Sequence, residues 1–114
     1  MSDMVGNGNV LSNGEKHVRL IHKIKMILRN GDTTVVLLDV PESERLLNNI
    51  CCFDKDLNIM WRSEPLEKLY PNLLLLPYED ICIRDGYLYA WDFYCRSFQI
   101  DLNNGKVLGF KSWH

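Results

Sequence analysis

Three turn signals stand close together in the C-terminal third of the chain: Asp85-Gly86, Tyr94-Cys95 and Leu102-Asn103-Asn104-Gly105. They cut the sequence into short segments at 79–84, 87–93, 96–101 and 106–111. Strand-forming segments with a turn every eight to twelve residues or so indicate an antiparallel meander. This spacing limits the fold more than any other feature of the chain.

Upstream, Asn30-Gly31 is a strong hairpin signal. It leads into 33–40, a β-branched run that reads as a strand buried on both faces. The segment before it, 17–29, fits two periods. On a strand period Val18, Leu20, His22, Ile24, Met26 and Leu28 share a face; on a helix period Leu20, Ile21, Ile24, Ile27 and Leu28 form a stripe. A hairpin needs a strand on each side of its turn, so we read a strand. Short strands follow at 49–54 and 59–63, around Lys55-Asp56-Leu57-Asn58. Pro65, Pro71 and Pro77 make 64–78 a long connection, because proline cannot donate to a ladder.

The expected fold is therefore all-β: antiparallel meander sheets packed as a small sandwich or an open two-sheet unit. Residues 1–15 are rich in Gly, Asn and Ser with no apolar period, and read as a disordered arm. Residues 16–114 form one β domain, with a first sheet unit at 18–63 and a second, blade-like unit at 79–111. At 114 residues the chain is long enough for one core without disulfides or metals. A net charge of −2 gives no global attraction to nucleic acid or anionic lipid. The longest apolar run, Leu73 to Leu76, is too short to span a bilayer. The N-terminus lacks the basic and apolar regions of a secretory signal, so the expected compartment is the cytoplasm. The cysteines Cys51, Cys52, Cys82 and Cys95 offer no Cys-x-x-Cys spacing and read as reduced and structural.

A weak internal repeat runs through the chain. Phe53-Asp54 opens a turn and a strand ending at Trp61-Arg62; Ile100-Asp101 opens another, ending at Gly109-Phe110. The two aspartates are about 47 residues apart, within the range of propeller blades. Each aspartate can accept hydrogen bonds from its own turn's amides. A large apolar residue then closes the next strand onto the neighbouring sheet. Asp85, Gly86, Leu88, Tyr89, Asp101, Gly105, Lys106, Val107 and Leu108 are spaced as in the quinoprotein-type (PQQ-like) β-propeller repeat, which this stretch resembles. Cys95 stands where that pattern prefers Gly, Gln99 where it prefers Ala, and Gly109 in place of its closing Trp. The resemblance implies a blade-like four-stranded sheet. A propeller closes with about four to eight blades, and two sheet units make no ring and no channel. Neither the quinone cofactor nor its ligands carry over, and no cofactor is expected.

No catalytic or metal constellation emerges. His17, His22 and His114 are the only histidines, and none has ligand spacing to another. Asp92 interrupts an aromatic strand, where it either caps the 94–95 turn or lines a binding surface. By alternation Tyr87, Tyr89, Trp91 and Phe93 share one face, and Leu88, Ala90 and Asp92 the other. We read most of the aromatic face as core, with its edge left for a partner. Trp61, Arg62, Trp91, Asp92, Tyr94, Arg96 and Trp113 form the candidate interaction surface, being rich in the residue types that anchor interfaces. The expected function is a non-catalytic protein-interaction module, homodimeric, of immunity or adaptor type. One alternative is a small-ligand binder or enzyme with a cleft near Asp92, Tyr94 and Arg96. Another is nucleic-acid binding through the basic stretch 16–29, which otherwise reads as the solvated face of an edge strand.

Overall fold

A computed structural model describes residues 4–112. Its elements, in chain order, are β1 (Val5–Asn7), β2 (Val10–Ser12), β3 (His17–Arg19), β4 (Lys23–Asn30), β5 (Thr33–Asp39), a 3-10 turn (Glu42–Glu44), β6 (Ile50–Phe53), β7 (Ile59–Arg62), α1 (Leu66–Leu69), β8 (Asp80–Arg84), β9 (Tyr87–Trp91), β10 (Arg96–Asp101) and β11 (Val107–Ser112). The fold is all-β, and every strand pairing is antiparallel. The strands make an N-terminal sheet β1-β2-β3, a central sheet β4-β5-β6-β7 and an outer sheet β8-β9-β10-β11, each joined in sequence order. No helix among the described residues is long and apolar enough to cross a membrane.

The three sheets stack as layers. Val35, Leu37, Ile50, Cys52 and Trp61 on one face of the central sheet pack against Ile81, Leu88, Ala90, Phe98 and Ile100 of the outer sheet. The opposite face, with Val36, Leu38, Cys51 and Phe53, packs against Leu11 and Val18 of the N-terminal sheet. The central strand β5 is thus buried on both faces, which its unbroken β-branched run requires.

The expected disordered arm, 1–15, is corrected over residues 4–15; residues 1–3 lie outside the described residues. Residues 5–12 form a hairpin whose Asn7 and Val10 pair around a two-residue turn, with Gly8 at φ 61°. Leu11 is fully buried. The Gly and Asn residues that suggested disorder build the turn instead. Gly6 lets β1 lie close on β4, since a Cβ there would stand 2.9 Å from Ile27 Cδ1.

The first sheet unit does not run from 18 to 63 either. The chain leaves its strand at 20–22, so β3 joins the N-terminal sheet and β4 starts the central one. A bulge lies between Ile24 and Met26. The extra residue, Lys25, reverses the alternation. Ile24 and Ile27 therefore face the N-terminal sheet, whereas Met26 and Leu28 face the outer sheet. The apparent helical stripe through Leu20, Ile24 and Ile27 records this bulge. Lys25 pairs with Glu79 at 2.6 Å.

The long connection 64–78 is held by two polar clasps. Asn49 is fully buried; its Nδ2 donates to the carbonyls of Leu38 (2.9 Å) and Tyr78 (3.0 Å), and its Oδ1 accepts from Tyr78 N–H (3.0 Å). The second clasp involves Arg96, whose guanidinium donates to the Leu74 carbonyl at 2.7 Å.

Candidate interaction surface

No element among the described residues covers the outer face of the outer sheet, on which Ser97 is only 7% exposed. On β9, Leu88 and Ala90 are fully buried against the central sheet, which turns Tyr87, Tyr89 and Trp91 outward. The reading of this aromatic face as mostly core is therefore corrected: the small apolar residues face in and the aromatics face out. Pairing across the sheet fixes the layout of the exposed face. Lys111, Ser97, Trp91 and Asp80 form one row from β11 to β8. Gly109, Gln99, Tyr89 and Cys82 form the next. Asp101, Tyr87 and Arg84 complete it.

The face has a ridge and a trough. The ridge is aromatic, with Tyr89 and Trp91 ring centroids 6.5 Å apart. The Arg84 guanidinium lies over the Tyr89 ring at 5.0 Å, a cation–π contact, and the Tyr89 hydroxyl lies 3.5 Å from Gln99 Nε2 on the next strand. Beside it is a groove of about 370 Å³, floored by Ser97, Gln99 and Gly109 and flanked by Lys111. Nothing stands within 4 Å of where a Gly109 side chain would begin.

The predicted surface residues separate into three groups. Trp91 lies on this face and is half-buried. Tyr94 is exposed at the β9–β10 tip, with the Arg96 guanidinium 5.1 Å from its ring centre. Arg62 is exposed on the free edge of β7, near Cys51, whose thiol burial pushes up from its ordinary value.

Trp61, Asp92 and Arg96 are not surface residues. Trp61 is only 7% exposed; its Nε1–H donates to the Leu102 carbonyl at 2.8 Å and its ring lies against Gly105. Asp92 and Arg96 are 5% and 8% exposed and pair at 2.7 Å. Asp92 Oδ1 also accepts from Tyr94 and Arg96 amides, both at 3.0 Å. Asp92 is thus the cap of its turn, and the polar atoms expected to line a cleft are spent on one another and on the backbone. Trp113 lies outside the described residues.

The basic stretch is likewise divided. Lys16 and Arg19 belong with the N-terminal sheet, Arg19 donating to Asn9 Oδ1 at 3.2 Å, while Lys25 is paired with Glu79. His22 is half-buried and lies 2.8 Å from Glu44. All four cysteines are free: Cys51 and Cys52 buried, Cys82 half-buried, Cys95 exposed.

The selection of surface residues missed Arg84, Gln99, Gly109 and Lys111. The available signal was in the repeat, because Gln99 and Gly109, two of its departures, pair with each other on this face.

The chain belongs to the family described as Domain of unknown function (DUF7957), which matches residues 1–111. No curated protein matches it.

Proposed function

We propose that this chain is a non-catalytic protein-interaction module that binds through the outer face of its outer sheet. One observation carries this reading. Both faces of the central sheet are covered, yet among the described residues the only layer over the outer sheet is on its inner side, which leaves Tyr89 and Trp91 facing outward. Aromatic and arginine side chains on such a face are the usual anchors of a protein interface. The two four-stranded meanders, each with an aspartate accepting from its turn amides, support reading them as successive blades of propeller type. Trp61 docked on the Gly105 turn joins one to the other. The four free thiols suit the reducing cytoplasm.

The test is capture from an extract of the native host, comparing wild type with Tyr89→Ala/Trp91→Ala and with a distal control, Met60→Ala. A partner retained by wild type and by the control, and lost by the face variant, is the expected result. Equal retention by all three sinks the proposal.

A further inference from the structure

We infer that the partner of this face is a second copy of the chain, related by a two-fold axis lying between the sheets and parallel to their strands. This rests on the reading of the face as an interaction surface, and names its occupant.

The argument is self-complementarity. A two-fold axis along the strands places β9 over β10 of the second copy, and β8 over its β11. Each half of the face then meets the other half. The aromatic ridge is confined to β9, and the small and polar side chains to β10 and β11. Trp91 therefore stands over the second copy's Ser97, and Tyr89 over its Gln99, with the open space at Gly109 alongside. Large residues meet small ones twice, as an isologous interface requires.

The charges at the edge agree. Asp80 on β8 and Lys111 on β11 lie in the same row at opposite edges, and both are exposed. The axis brings Asp80 of each copy over Lys111 of the other. Face-to-face packing at the usual spacing of about 10 Å would extend the existing stack from three layers to six. Four strands of this length present about 300 Å² in plan. Stable interfaces bury about 800 Å² per partner. The face is smaller than a standard interface, so the pairing is a weak, concentration-dependent one.

Sedimentation equilibrium on the full chain, from about 10 to 500 µM, tests the axis as well as the association. Wild type should dimerise. Asp80→Lys and Lys111→Glu should each weaken dimerisation about tenfold, because each puts like charges together at both symmetry-related contacts. In an equimolar mixture the two variants should associate within about threefold of wild type, since every such contact in the mixed pair is then opposite in sign. Unchanged circular dichroism and urea midpoints confirm that both variants fold. A wild type that stays monomeric throughout, variants that dimerise as well as wild type, or a mixture no better than its components each overturn the inference. A monomeric wild type that still captures a host protein through Tyr89 and Trp91 overturns the self-pairing alone and leaves the interaction-surface reading standing.

Discussion

Substituting Gly105 by Ala tests the joint between the central and outer sheets. Gly105 has φ 77°, and a Cβ there would stand 2.5 Å from Trp61 Cε3 and 3.0 Å from the Arg62 carbonyl. Two costs combine. The left-handed backbone disfavours a side chain by about 1–2 kcal/mol, partly offset by the stiffer unfolded chain. Forcing a methyl group against a packed ring adds about 1–3 kcal/mol. Gly86 separates the two costs, because it has φ 82° with nothing within 4 Å of the added atom. Gly86→Ala should therefore cost about 1 kcal/mol and Gly105→Ala about 3 kcal/mol. With a urea m-value of about 1.5 kcal/mol/M, the second loss lowers the unfolding midpoint by about 2 M. Adding Trp61→Leu to Gly105→Ala should recover about 1–2 kcal/mol in a double-mutant cycle. The recovery is incomplete because the Arg62 carbonyl remains. Equal losses for the two glycines, or additivity of Trp61→Leu with Gly105→Ala, would refute the claim that Trp61 is docked on this turn.

Asn49→Ala strands Tyr78 N–H and the Leu38 and Tyr78 carbonyls, which Asn49 serves; the loss should be about 3–4 kcal/mol, seen as a fall in Tm of about 15 °C. Asp92→Ala leaves Arg96 buried without its carboxylate and should cost about 3–5 kcal/mol by urea titration, more than Arg96→Met. Among the described residues the buried Tyr78 hydroxyl has no hydrogen-bond partner, and burial pushes its pKa far up, so Tyr78→Phe should be neutral or stabilising by up to about 1 kcal/mol. The backbone amide of Asn58, with lesser help from its side chain and the Asp56 amide, holds the Asp54 carboxyl below its ordinary value of 3.8. A folded pKa below the unfolded one stabilises above about pH 4 and is lost as pH falls through the folded value; the stability difference between wild type and Asp54→Asn should accordingly shrink as pH falls below about 4, and a constant difference would count against the assignment.

Much of the fold was legible because turns declare themselves locally. Asn30-Gly31 and Asp85-Gly86 both sit at observed hairpins, with the Asn30-Gly31 turn centred one residue later, on Gly31 and Asp32. The same dipeptide, Asn7-Gly8, opens the N-terminal hairpin, where its signal is weak because its strands are three residues long and carry little apolar pattern. What orders that hairpin is Leu11 inserted against the central sheet, a tertiary contact without a local mark. The bulge at Lys25 was invisible for a related reason. One inserted residue shifts every following side chain to the other face, so the segment satisfies neither period cleanly.

The inner face of the outer sheet was the harder problem. Alternation on β9 separates Tyr87, Tyr89 and Trp91 from Leu88 and Ala90, but it does not say which set is covered. Residue size favours the aromatics as core. Layer spacing favours the opposite, since the bulky inner residues here come from β10, β11 and the connection: Phe98 packs on Tyr78 at 5.5 Å, and Phe110 on Tyr70 at 5.0 Å. With those rings already between the layers, β9 has room only for Leu88 and Ala90. The two repeat units then differ where this geometry says they should. In the first, Trp61 reaches across to the next sheet; in the second, the matching position is Gly109, and among the described residues no sheet lies beyond it. An aromatic ridge beside a trough puts both halves of a contact on one face, and that is the complementarity on which the proposed pairing of two copies rests.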